Sequence, residues 1–261
     1  MTAFLNSKAD NTAATAYNIR LNVDYYLPWS SYEAHTVFSN KYVNLDLSGS
    51  TFTSIGRYAF EDCRRLVGVT IPASVTSIGY GAFSGCTSLV SITVAANNPS
   101  YASEGGILYN KAKTDIVYVP QGISGHVTIP NSVTSIRELA FNSLSLASVT
   151  IGNSVTSIGW LAFDRCRNLA SVSIGSSVTS IEQSAFAYCT SLASITIPSS
   201  VTSIGENAFY YCTSLTSVTF AGTVSNFGRG AFDGNLARVY NGPGTYTTAN
   251  PGSSSAVWRK W

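Results

Sequence analysis

The sequence holds two histidines, His35 and His126, so a Ser-His-Asp relay would have to be built on one of them. Serines surround His126, which stands directly before Val127-Thr128-Ile129. No G-x-S-x-G elbow lifts a serine onto a strained turn, however, and no H-E-x-x-H pairs imidazoles for a metal. Cys63, Cys86, Cys166, Cys189 and Cys212 each follow a phenylalanine by three residues. An odd number of thiols disfavours a complete disulfide framework. Ligands arriving once per repeat lie on a line, which makes no tetrahedral zinc site. There is no phosphate loop, dinucleotide fingerprint or EF-hand loop. The expectation is therefore no cofactor, no metal and no enzyme. The side chains left for recognition are Tyr101, Tyr109, Lys111, Lys113, Tyr118 and His126, which crowd one stretch and combine aromatic area with directional charge.

The elements that position these groups follow from a repeat. Ala-Phe recurs at Ala59-Phe60, Ala82-Phe83, Ala140-Phe141, Ala162-Phe163, Ala185-Phe186, Ala208-Phe209 and Ala231-Phe232, with a spacing of 23 residues in most steps. Self-similarity at that period, with apolar positions that one repeat cannot bury by itself, marks a leucine-rich-repeat solenoid. In the unit Cys189 to Cys212, Leu192, Ile195 and Ile197 follow L-x-x-L-x-L. Ile195 and Ile197 point inward, and Ser194 and Thr196 outward, as on a strand with one buried face. Pro198 ends the strand, Val201 and Ile204 form a second inward pair, and Gly205 permits a tight turn. Ala208, Phe209 and Cys212, at i, i+1 and i+4, fit a single turn of helix or 3₁₀. The expected fold is a repeat solenoid with a parallel ladder of strands on one side and short strands and helical or 3₁₀ turns on the other. The cysteines are small buried thiols in its core.

The phrase SLxSITIPSSVTSIGxxAFxxC, at Ser191 to Cys212 and nearly repeated from Ser88, Asn168 and Ser214, resembles the BspA-like, or treponemal-type, bacterial leucine-rich repeat over residues 43–240. The resemblance implies a right-handed, curved superhelix with its long strands on the concave side. It also implies a non-enzymatic cell-surface or secreted protein that works in adhesion or protein-protein interaction, with a host extracellular protein as a candidate ligand.

Repeat alignment puts Asn44/Asp46, Gly68/Thr70, Ser91/Thr93, His126/Thr128, Ser148/Thr150, Ser171/Ser173, Ser194/Thr196, Ser217/Thr219 and Arg238/Tyr240 on the concave ladder. Short hydroxyls carry few of the anchors that dominate interfaces, so this face reads either as a passive solubilising surface or as a binding face. The interval from Phe83 to Phe141 is 58 residues. Residues 97–130 therefore read as an irregular insertion, with a hairpin formed by Gly106 to Tyr109 and Asp115 to Val119 around a polar turn. It serves either as an alternative structural coil or as the distinctive part of a ligand site. The candidate ligand-binding set is Ser91, Thr93, Tyr101, Tyr109, Lys111, Lys113, Tyr118, His126, Thr128, Ser148 and Thr150. A second break is the interval from Phe141 to Phe163, one residue short.

Residues 1–42 read as an N-terminal cap containing Tyr25, Tyr26, Leu27, Trp29 and Phe38, with a short helix at 31–38. Residues 241–261 read as a C-terminal cap or tail with Trp258 and Trp261. Tyr58, Tyr80, Trp160, Tyr188, Tyr210 and Tyr211 line up with Arg165 on the turn side, a patch suited to self-association. A net charge of +2 with 11% charged residues cannot neutralise a row of phosphates, so nucleic acid is not an expected partner. No run of 18 apolar residues exists, so membrane insertion is not expected either. The first residues lack a secretory pattern. A chain from which such a segment had been removed would read the same, which leaves periplasmic and cytoplasmic locations beside the surface one.

Overall fold

The alternation read from the sequence becomes a burial pattern. In the strand Ser194–Ile197 the residues run exposed, buried, exposed, buried, and Leu192, Val201, Ile204, Ala208, Phe209 and Cys212 complete the inward set. A computed structural model describes residues 8–24 and 40–261. His35, the expected helix at 31–38 and the cap residues Tyr25, Tyr26, Leu27, Trp29 and Phe38 lie outside the described residues. Packing divides the chain into two units, residues 1–113 with 117–123 and residues 114–116 with 124–261. Each is a parallel β-solenoid.

In the first unit the long strands Tyr17–Arg20, Val43–Asp46, Leu66–Ile71 and Ser91–Val94 form one parallel sheet in that order, and the short strands Ser54–Ile55 and Ser77–Ile78 pair in parallel. The parallel ladder thus begins before the recognisable repeats, at Tyr17. In the second unit Ser124–Ile129, Ser145–Ile151 and Ser171–Ser173 form one parallel sheet, and Ser194–Ile197 pairs in parallel with Ser217–Phe220. Five short strands from Ser135–Ile136 to Asn226–Phe227 form a second ladder.

The core is a stack of identical side chains. Phe163, Phe186 and Phe209 lie face to face with centroid spacings of 5.1 and 5.3 Å, close to the strand spacing that the ladders impose. The cysteines are free and buried. Burial is the main cause that lifts the pKa of Cys166, to about 12, and it raises Cys189 and Cys212 as well. Their thiols donate to phenylalanine carbonyls, as Cys189 Sγ does to Phe163 O at 3.2 Å.

The turn after each short strand differs from expectation. Glu206 to Cys212 is neither α-helical nor 3₁₀, because the residue before each Ala and the second residue after each Phe have positive φ. Tyr58, Asp62, Leu139, Ser143, Leu161, Arg165, Ser184, Tyr188, Asn207 and Tyr211 all do so without being glycine. A left-handed residue every fourth position stops a helix and gives chained turns, such as Ala208 N–H to Gly205 O and Tyr210 N–H to Asn207 O. Bonds to the next coil hold the strain. Asn207 N–H donates to Arg229 O and Phe209 N–H to Ala231 O. Gly205 is required for close approach, since a Cβ there would stand 2.5 Å from Gln183 N.

At the C-terminal end, Leu236–Val239 is a short helix, so Arg238 and Tyr240 do not continue the ladder. Gly244–Thr247 instead runs antiparallel along Ser217–Phe220 and is followed by Arg259–Lys260, covering an edge that would otherwise stay open. Trp258 is buried with its Nε1–H on Asp233 O at 2.9 Å, whereas Trp261 is 89% exposed.

Candidate functional site

Two faces and one insertion carry the candidate residues. Parallel register aligns equivalent positions side by side, so a residue type that repeats becomes a rank. In the first unit Gly68 pairs with Ser91 and Thr70 with Thr93. In the second, His126 pairs with Ser148 and Thr128 with Thr150, and these continue to Ser171 and Ser173. All are partly or fully exposed. Ser91 and Thr93 therefore belong to one unit's ladder, and His126, Thr128, Ser148 and Thr150 to the other's.

His126 is oriented by hydroxyls, with Nδ1 2.7 Å from Ser148 Oγ and Nε2 3.1 Å from Thr128 Oγ1. The first distance suits proton transfer from serine. The second ring nitrogen meets a threonine where a hydrolase would place a carboxylate to hold the tautomer and stabilise the imidazolium. The arrangement can donate and accept hydrogen bonds toward a ligand on an open face.

The insertion is tied into the core by its own polar groups. Asn98 is fully buried. Its Nδ2 donates to Pro72 O and Val75 O at 2.8 and 2.9 Å, and its Oδ1 accepts from Ser100 N and Tyr101 N at 2.9 and 2.8 Å. The antiparallel strands are Tyr101–Glu104 and Ile107–Asn110, with Gly105 and Gly106 at positive φ between them. The two segments that the sequence pairs around the polar turn, Ile107–Asn110 and Ile116–Tyr118, stand next to each other in this sheet, and Tyr101–Glu104 adds a third strand that the sequence does not show.

The three tyrosines expected to contact ligand are used by the fold. Tyr109 is 1% exposed, and burial lifts its pKa to about 12. A contact role for its ring is corrected to a core role. Tyr118 packs on Phe83 at 5.5 Å, and its hydroxyl donates to Phe83 O at 2.7 Å. It thereby stands where a next phenylalanine would stack and makes the bond that Cys86 Sγ makes to Phe60 O. Tyr101 Oη accepts Ile78 N–H at the free edge of a short strand. Lys113 is paired with Glu104 at 2.6 Å, while exposed Lys111 reaches Ala96 O at 3.1 Å. The insertion therefore rebuilds a coil with different residues. Asn98, which does most to anchor it, was missed by ligand-directed reading, although the Asn97-Asn98-Pro99-Ser100 turn signal was visible.

The turn side carries exposed rings in both units. Tyr58 and Tyr80 meet edge to face at 5.8 Å with Arg57 over both. Tyr188 contacts Tyr210 at 5.6 Å and Tyr211 at 5.4 Å, with Arg165 5.3 Å over its ring. Among the described residues no group of three or more His, Cys, Asp or Glu could hold a metal. None of their helices is long and apolar enough to cross a membrane.

A parallel ladder of outward hydroxyls over a repeating Leu/Ile/Phe/Cys interior defines a leucine-rich-repeat protein. The BspA-type leucine-rich-repeat family matches residues 34–124 and 121–237 in six copies, and the chain belongs to that family. It is similar in structure to the pneumococcal vaccine antigen PcpA, with a TM-score of 0.62 and 24% identity over 82% of this chain and 54% of that one. It also resembles a leucine-rich cell surface protein of Faecalibacterium prausnitzii, with a TM-score of 0.53 and 23% identity over 87% of this chain and 81% of that one. At these identities the likeness is one of fold. This chain spans about half the length of the pneumococcal antigen. No curated protein matches it.

Proposed function

We propose that the protein is a non-enzymatic protein-binding module of the bacterial surface, engaging an extracellular protein through its hydroxyl ladders. The observation that carries this reading is the rank His126, Ser148 and Ser171 beside Thr128, Thr150 and Ser173. It is a rigid array of donors and acceptors fixed by backbone pairing, and among the described residues the partners of its imidazole are the hydroxyls of Ser148 and Thr128. Family membership supports interaction as the class of function, and the cell-surface description of a structural relative supports the location. Lys111 and the exposed edge of the insertion add irregular chemistry beside the first unit's ladder, whose first strands carry the pairs Asn18/Asn44 and Arg20/Asp46.

The test is surface binding to a panel of purified extracellular matrix proteins, repeated with Thr128→Arg/Thr150→Arg and with Thr93→Arg. A bulky charge on a contacting rank should weaken binding by roughly tenfold or more, equivalent to about 1.4 kcal/mol. Binding unchanged in every variant removes the ladders from the interface, and serine labelling by a fluorophosphonate that His126→Ala abolishes would replace the reading with a hydrolase. Exposed Tyr210 and Tyr211, 41% and 45% accessible beside Tyr188, favour self-association as a second use. That use predicts a mass in sedimentation velocity that rises with concentration and is lost in Tyr210→Ser/Tyr211→Ser.

A further inference from the structure

The coil one residue short has a structural consequence. Elsewhere two residues separate the inward Cys from the next inward Leu, as in Cys166-Arg167-Asn168-Leu169 and Cys189-Thr190-Ser191-Leu192. In the coil of Phe141 only Ser145 stands between Leu144 and Leu146. The following coil keeps its full turn, so Arg167 and Asn168 overhang space that their neighbour does not fill. An open notch of about 410 Å³ lies there, lined by Ser143, Leu144, Ser145, Arg165, Arg167 and Asn168.

The charge balance is positive. Asp164 is the acid at the site, nearly buried, and its Oδ2 accepts from Asn142 Nδ2 at 3.0 Å and sits 3.4 Å from Arg165 Nε. It offsets one guanidinium. Arg165 is steadied by stacking over Tyr188, and Arg167 is exposed and forms no ion pair among the described residues. Ser143 Oγ donates to Asn142 Oδ1 at 3.0 Å and forms part of the wall. Guanidinium forks beside a hydroxyl and a side-chain amide match a small oxyanion, which accepts several directed bonds at once.

We propose that this notch is an oxyanion-binding site, taking a phosphate, sulfate or carboxylate group between Arg165 and Arg167 with Ser145 and Asn168 completing its hydrogen bonds. The site stands independently of the protein-binding reading, since a free ion is enough to test it. Arginine Nε–H resonances are followed by NMR while inorganic phosphate, sulfate and acetate are each titrated at constant ionic strength set with chloride. A glutamate-containing peptide, blocked at both ends, is the arm for a group presented on a chain. Arg165 and Arg167 should shift saturably, while Arg137 and Arg229 stay fixed. Response to the peptide but not to free ions would assign the site to a presented carboxylate.

Arg167→Gln should weaken binding by roughly tenfold or more. Inserting one serine between Ser145 and Leu146 restores the full turn and should abolish binding although both arginines remain. Shifts that follow ionic strength alone, that appear equally at all arginines, or that survive the insertion would show surface charge without a site and overturn the proposal. If the insertion prevents folding, Arg167→Gln decides, and undiminished binding in that variant refutes it.

Discussion

Asn98→Ala removes the anchor of the insertion, and its cost can be worked from four bonds. Two of them end on N–H groups of Ser100 and Tyr101, which are only half-buried, so water can replace the lost acceptor at small net cost. The other two end on the buried carbonyls of Pro72 and Val75, which would lose the donors now 2.8 and 2.9 Å away. Pro72 O keeps Val75 N–H at 3.4 Å, so Val75 O is the group left unsatisfied. At about 1 to 3 kcal/mol for such a group, the loss comes to about 2 kcal/mol, a fall in melting temperature of roughly 4 to 8 °C for a chain of this size. Asn97 is the exposed neighbour, and Asn97→Ala should stay within about 0.5 kcal/mol of the parent.

The assay is urea unfolding followed by circular dichroism, with hydrogen exchange read by mass spectrometry. Because a coil contacts only its neighbours, protection should fall in 72–79 and 98–110 and persist in the stack from Phe163 to Phe209. A loss below about 1 kcal/mol would mean that the four bonds are replaced by water in the folded state. Protection lost evenly along the chain would refute the locality argument.

Three further outcomes follow from the same packing. Phe186→Ala, which removes a fully buried ring stacked on both sides by Phe163 and Phe209, should cost about 3 to 5 kcal/mol in denaturant unfolding. Ser184→Gly should stabilise by about 0.5 kcal/mol, because Ser184 has φ 53° where Gly81 and Gly230 occupy the equivalent positions; relief of left-handed strain outweighs the added chain entropy, and Ser184→Val should move the melt the other way. Asp164 and Asp233 have pKa values raised chiefly by burial, so their contribution to stability is fully present below the ordinary carboxylate pKa and is lost as pH rises through their folded values. Asp164→Asn/Asp233→Asn should therefore flatten that part of the stability profile, measured by urea midpoints as pH is raised from below the ordinary carboxylate range to neutrality.

The division between what was legible and what was not is physical. Periodicity reports which side chains turn inward, so Leu192, Ile195, Ile197, Val201, Ile204, Phe209 and Cys212 were readable as core. Pairing in parallel register then follows for the Ser and Thr ranks, including His126 beside Ser148. Left-handed turns were not readable, because Tyr, Arg and Leu do not signal positive φ. Those residues adopt it only because bonds from the adjacent coil, such as Tyr188 N–H to Tyr210 O, over-determine the backbone. The tyrosines of the insertion misled for a related reason. A ring with a polar tip serves equally well at an interface and as a substitute core residue, and composition does not say which. Tyr118 was decided by the free face of Phe83 and its unclaimed carbonyl, both created when the insertion displaced the next Phe and Cys.

The same logic locates chemistry in this protein better than residue type does. A regular repeat fills the space beside each coil with the next, so an open notch arises where one coil fails to match its neighbour. The long break at 97–130 is a mismatch that the chain fills completely, with Asn98 taking four bonds and the tyrosines closing the Phe stack and strand edge. The short break at Ser145 is a mismatch that it leaves open, under Arg167 and Asn168. A missing residue removes the groups that would have met its neighbours, whereas an insertion brings partners of its own. In a solenoid of this kind the deletion is therefore the stronger sign of a ligand.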